Sequence, residues 1–147
     1  MPQLIVEAVI DSIMNQRSPN TNYGANPAIT HQVTYDIGGK LAWYRSIGNF
    51  DVSVLAGATI VDAKLVREVY SISSPGSDAV ILRCTRPSRW TEGGVTWNSY
   101  DGVNNWTNVG GDFDNDNPEP ITYTEPLVAG THEVPGLAVW VEDALAN

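Results

Sequence analysis

The sequence predicts an all-β fold: an antiparallel β-sandwich of jelly-roll type with a short C-terminal helix. Three observations carry this. Short β-branched and aromatic runs recur along the chain, clusters of Gly, Pro, Asn and Ser separate them, and only the C-terminal segment has the apolar spacing of a helix. The 147 residues suit a single domain, 1–147, and 42% apolar content can fill one core. A net charge of -9 works against partners held by phosphates, so nucleic acid and anionic membrane are set aside. No apolar run approaches the roughly 18–20 residues of a membrane span.

The first strand is expected at Gln3 to Asp11, a β-branched apolar run. From Met14 to Pro27 the chain is crowded with Asn, Ser, Pro and Gly and reads as a long structured loop. From Ile29 to Ile37 apolar and polar residues alternate with the period of two of a half-buried strand. Gly38-Gly39 reads as a hairpin turn into a returning strand from Lys40 to Phe50, which carries Leu41, Trp43, Tyr44, Ile47 and Phe50. After Leu55-Ala56-Gly57, residues Thr59 to Tyr70 alternate again, with Val61, Ala63, Leu65 and Val69 on one face and Asp62, Lys64 and Glu68 on the other. Ser71 to Ser77 breaks that run, and Ala79 to Thr85 forms the next strand, with Val80, Leu82 and Cys84 on one side. Trp90 to Pro120 lacks a regular period and reads as long loops pinned by Trp90, Trp97 and Trp106. Pro135 to Ala146 has Leu137, Trp140, Val141 and Ala144 at helical spacing, with Pro135 suited to a first turn.

The chemistry-bearing residues are sparse. His31 and His132 stand in no nucleophile-elbow or catalytic-cysteine context, so both read as surface or strand histidines. One cysteine, Cys84, and two distant histidines give no zinc spacing, and Cys84 reads as a small buried apolar residue. No glycine-rich phosphate loop joins a strand to a helix. Glu92, between Trp90 and Trp97, is the most conspicuous acid, but nothing pairs it with a second carboxylate for sugar hydrolysis. No catalytic residue is assigned, and an enzyme is not expected. Asp112, Asp114 and Asp116 alternate in a loop and are the candidate ligands for calcium, the one cofactor considered; the Asn117 and Tyr123 positions rule out an EF-hand. Trp43, Tyr44, Trp97, Tyr100 and Trp106 offer flat faces on which a sugar can lie. Of these, Tyr100 and Trp106, set among Asn and Gly, are the expected exposed pair and the candidate glycan ligands. Asn105-Trp106-Thr107 has the form of a glycosylation sequon and is set aside for want of a secretion signal.

Three stretches occur in order: Ser18-Pro19-Asn20-Thr21-Asn22-Tyr23-Gly24; Phe50-Asp51-Val52 followed by Gly57 to Leu65; and Trp90-Thr91-Glu92-Gly93-Gly94-Val95-Thr96-Trp97-Asn98. Together they make the chain, from about Ala8 to Asn147, resemble the disaggregatase-related β-sandwich family, often called the DNRLRE domain, which is similar to some carbohydrate-binding modules. The resemblance implies a non-catalytic jelly roll of a kind found on secreted polysaccharide-degrading enzymes, on cell-surface proteins and in phage structural proteins. It also gives Glu92 a structural place in the third stretch.

Two functional readings follow. In the first, the chain is a structural component of a phage particle, a capsid decoration, cement or fibre protein made in the host cytoplasm. Its partners are capsid or tail proteins and copies of itself. Met1 leads into a strand-like segment without a signal sequence, and the family pattern runs past the helix into closing strands whereas the sequence stops at Asn147. That leaves an edge for a neighbouring subunit to complete. In the second, it is an extracellular carbohydrate-binding module for a polysaccharide or cell-surface glycan, against which -9 weighs only where the polysaccharide is acidic.

Overall fold

The computed structural model describes residues 4–27, 32–35, 41–73, 75–85, 90–116 and 118–146, with 32–35 described through their backbone alone. In chain order the elements are β1 (Ala8–Asn15), β2 (Gln32–Tyr35), β3 (Leu41–Phe50), a 3-10 turn at Ser53–Leu55, β4 (Lys64–Val69), β5 (Asp78–Ile81), β6 (Arg83–Cys84), β7 (Phe113–Asp114), β8 (Ile121–Thr124), β9 (Gly130–Pro135) and α1 (Ala138–Ala146). The fold class is the one the sequence predicts. The registered strand pairs are antiparallel, and among the described residues the one α-helix is short and C-terminal and the strands close no barrel, consistent with an all-β sandwich. No described helix is long and apolar enough to cross a membrane.

The chain divides into two compact units. The first comprises Met1–Asp51 and Cys84–Phe113, the second Val52–Arg83 and Asp114–Asn147. In the first, β3 lies between β1 and β2. The expected first strand starts late: β1 runs to Asn15, because β3 supplies ladder partners up to Tyr44, opposite Asn15, and Leu4 and Ile5 are left outside it and exposed. Gly38-Gly39, His31 and the outer parts of the Ile29–Ile37 run lie outside the described residues. The core of this unit is Met14, Ile47, Trp90, Val95, Trp97, Tyr100 and Trp106, with Ile10 and Cys84 packed against it. Five of these seven come from the aperiodic 90–106 segment. Arg45 lies over the rings of Trp97 and Phe113, 5.1 and 4.8 Å from their centroids, and its Nη1 donates to the Gly110 carbonyl at 2.7 Å. Desolvation by burial lowers its pKa.

The second unit holds two separate antiparallel pairs, β4 with β9 and β5 with β8. β4 alternates exposed and half-buried residues as expected, with Leu65 and Val69 inward. It is shorter than the expected Thr59–Tyr70 strand, and Val61 lies before it, exposed. The expected Ala79–Thr85 strand splits at Leu82, because β5 pairs with β8 whereas β6 pairs with β7. Val80 consequently faces solvent. β8 and β9 have no counterpart in the sequence reading. Pro135 ends β9 rather than opening the helix, and Leu145 rather than Ala144 continues the half-buried stripe of Trp140 and Val141. Arg67, inward on β4, is held by Glu125 (Nη2 to Oε2 3.0 Å) and lies 4.5 Å from the Tyr123 ring centroid. Burial pushes the Tyr123 hydroxyl up to about 12; the Arg67 charge draws it down and Glu125 raises it.

Candidate functional site

The first and third stretches singled out in the sequence meet in space. Both are loops rich in groups that need partners, and they satisfy one another. Asn22 Nδ2 donates to the Glu92 carbonyl at 2.6 Å and the Val95 carbonyl at 2.8 Å, while its Oδ1 accepts from Gly24 N at 3.1 Å. One side chain thus clasps two turns of the opposite loop. Asn98 adds two more ties: its N–H donates to the Pro19 carbonyl at 3.1 Å, and its Nδ2 to Asn20 Oδ1 at 2.8 Å. The approach leaves no room for a methyl group, since a Cβ on Gly24 would collide with the Glu92 carbonyl, and one on Gly94 with the Asp101 backbone.

Where the loops join they leave an open groove of about 310 Å³. Among the described residues its walls are Asn20, Asn22, Asn98, Asn105, Thr96 and Ser99 with Gly93, Gly94, Gly102 and Val103, none of which carries a formal charge. Both amide protons of Asn22 are spent on the clasp. Thr96 Oγ1 accepts from the N–H groups of Asn98 and Ser99, and Ser99 Oγ donates to the Asn104 carbonyl. The unused polar atoms are Asn20 Nδ2, Asn98 Oδ1 and the whole Asn105 side-chain amide, none of which has a hydrogen-bond partner among the described residues. They form a neutral set of donors and acceptors, suited to hydroxyl groups rather than to ions.

The expected glycan ligands lie elsewhere. Tyr100 and Trp106 are 8% and 4% exposed, so the expected exposed pair is in fact core. Trp106 Nε1 donates to the Thr96 carbonyl at 3.0 Å, and the two rings pack at 59° with centroids 5.6 Å apart. Neither offers a free face; they support the groove from within. The sequence reading missed the groove itself, although Asn20, Asn22, Gly93, Gly94, Thr96 and Asn98 lie in the first and third stretches; Ser99, Gly102, Val103 and Asn105 lie beyond them.

The three aspartates do not gather into one ligand set. Asp112 is 6% exposed, and both its oxygens take amide protons: Oδ2 from Thr107 N at 2.9 Å and Oδ1 from Asn108 N at 2.7 Å. Asp114 Oδ1 accepts from Asp116 N. Among the described residues no three His, Cys, Asp or Glu side chains gather where they can hold a metal ion. Alternate carboxylates of a loop serve calcium only when the loop turns them onto one point, and here Asp112 is turned onto the amides of Thr107 and Asn108. Glu92 Oε1 accepts from Asp11 N at 3.5 Å, on the edge of β1 away from β3, so this acid blocks a strand edge. His132 Nε2 lies 2.8 Å from the Val128 carbonyl.

Against known proteins, a family profile described as "Disaggregatase related repeat domain" matches residues 11–129. No curated protein and no solved structure matches the chain.

Proposed function

The chain belongs to the disaggregatase related repeat family, and from that premise we propose that it is a non-catalytic binding module whose amide-lined groove holds a neutral glycan. The observation that carries this reading is the set of unused atoms, Asn20 Nδ2, Asn98 Oδ1 and the Asn105 amide, on the walls of one uncharged groove. Side-chain amides present a donor and an acceptor side by side, the pattern that neighbouring hydroxyls of a sugar ring match. Among the described residues its walls hold no carboxylate, which favours binding over hydrolysis, a reaction that needs an acid and a base flanking the bond. The expected affinity is modest, because the described walls of the groove hold no aromatic ring to add stacking area.

Gel retardation by neutral polysaccharides tests this. Gly93 lines the groove, a Cβ there meets nothing within 4 Å, and its φ lies outside the left-handed range. Gly93→Leu therefore places a bulky side chain at the groove wall without disturbing the fold. The parent chain is retarded by at least one of dextran, mannan, mixed-linkage β-glucan and arabinoxylan, and Gly93→Leu migrates freely. Equal retardation of both would refute the assignment.

A second reading, a structural component of a virion that assembles with copies of itself or with capsid or tail proteins, draws support from exposed apolar side chains. Leu41 and Trp43, two residues apart on β3 and so on one face, are both exposed, as are Leu4 and Ile5 ahead of β1. Light scattering over a range of concentrations separates the two: a concentration-dependent oligomer favours assembly, a monomer the binding module.

A further inference from the structure

The loop from Ser99 to Asn105 forms one wall of the groove and is built more tightly than its composition leads one to expect. Ser99 and Asn105 close it as an antiparallel bridge, and Tyr100 N donates to the Asn104 carbonyl at 3.1 Å. Inside, the Asp101 carboxylate takes three protons: Oδ1 from Val103 N at 2.9 Å and Asn104 N at 2.6 Å, and Oδ2 from Asn104 Nδ2 at 2.8 Å. The Asn104 backbone N–H, then its side-chain amide and the Val103 N–H, lower the Asp101 pKa, so the carboxylate is charged when it makes these bonds. What this framework holds outward is Val103, 85% exposed and the most exposed of the large apolar side chains described, and the unused amide of Asn105.

A valine fixed in water adds nothing to the core, and its ordering costs entropy that the fold does not recover. Both costs are offset when something covers it. A sugar ring carries an apolar C–H face beside its hydroxyls, and Val103 with Asn105 offers the matching pair on a wall that need not rearrange. We infer that the Ser99–Asn105 loop is a preformed recognition wall in which Val103 and Asn105 contact the glycan and Asp101 is the positioning residue that fixes them. This rests on the glycan reading above.

The test uses the full chain and whichever of dextran, mannan, mixed-linkage β-glucan and arabinoxylan retards it. Asp101→Ala is expected to speed hydrogen exchange at the Val103 and Asn104 amides and to weaken binding roughly five- to tenfold, chiefly by faster dissociation, through lost preorganisation. Asp101→Asn, which keeps a side-chain oxygen acceptor, falls between. Val103→Ser, at a site with no packing role, weakens binding by about two- to threefold through lost apolar contact. Faster exchange with unchanged affinity in Asp101→Ala overturns the inference and leaves the groove reading standing. If Asp101→Ala fails to fold, an unchanged affinity in Val103→Ser overturns it. If no polysaccharide retards the parent, the inference falls together with the glycan reading.

Discussion

Asn22→Ala should be among the costliest single-atom-group losses in the first unit, and its size follows from the geometry. The amide donates to carbonyls at 2.6 and 2.8 Å and accepts from Gly24 N at 3.1 Å. Each bond is worth about 1 kcal/mol net, and the two carbonyls lose their donors in a protein-lined place, Val95 being 0% exposed. The total is about 3 kcal/mol, which for a chain of this size lowers the melting temperature by roughly 6–12 °C. Asn22→Asp should cost more despite its identical shape, because an acceptor replaces the donor facing both carbonyls. Asn26→Ala is the control: its backbone N–H donates to the Tyr23 carbonyl, its exposed side chain makes no hydrogen bond, and the change should stay within about 0.5 kcal/mol. Urea unfolding followed by tryptophan fluorescence is the assay, since Trp90, Trp97 and Trp106 all lie in this unit's core. A cost below about 1 kcal/mol for Asn22→Ala, or parental stability for Asn22→Asp, would refute the clasp.

Three further outcomes follow. Arg67→Met removes the guanidinium from beside the Glu125 carboxylate, whose side chain is only 13% exposed, and should cost about 3 kcal/mol, whereas Arg67→Met/Glu125→Leu should recover most of it; a double variant no better than the single contradicts this pairing. Tyr123 has its pKa raised to about 12 from an ordinary 10.0, so the folded state keeps the proton that the unfolded state gives up: its contribution is full below pH 10 and is lost between pH 10 and about 12. Absorbance titration at alkaline pH should show one late-ionising tyrosine that Tyr123→Phe removes, and its persistence in that variant would contradict the assignment. Asp112→Ala leaves the N–H groups of Thr107 and Asn108 without their acceptor and should destabilise the chain by about 3 kcal/mol, with calcium in excess restoring none of it; restoration by calcium would contradict the purely structural role.

The strand skeleton was legible wherever local pattern and tertiary pairing agree. β3 begins and ends almost where its aromatic and branched residues do, and β4 alternates as its sequence does. Boundaries failed where a partner strand decides them, as at Asn15, carried into β1 by Tyr44, and at Leu82, where the chain changes partners. β8 and β9 are short and polar on their outer faces, so they left little apolar signal. Tyr100 and Trp106 misled because Asn and Gly neighbours usually mark an open loop, yet here the loop folds over its own aromatics, and the indole N–H finds the Thr96 carbonyl ten residues earlier. The Asn20–Asn98 contact joins residues 78 apart, beyond any periodicity or spacing rule. The quoted stretches marked the right loops; only the folded backbone shows which amides are spent on the clasp and which are left over.

The most direct test of the central claim is nuclear magnetic resonance of the isotope-labelled full chain, titrated with the polysaccharide that retards it. The account predicts that shifts concentrate on the side-chain amides of Asn20, Asn98 and Asn105 and on the backbone amides of Gly93, Gly94 and Val103. Shifts gathered instead on Leu41 and Trp43, or a spectrum that no neutral polysaccharide perturbs, would contradict it.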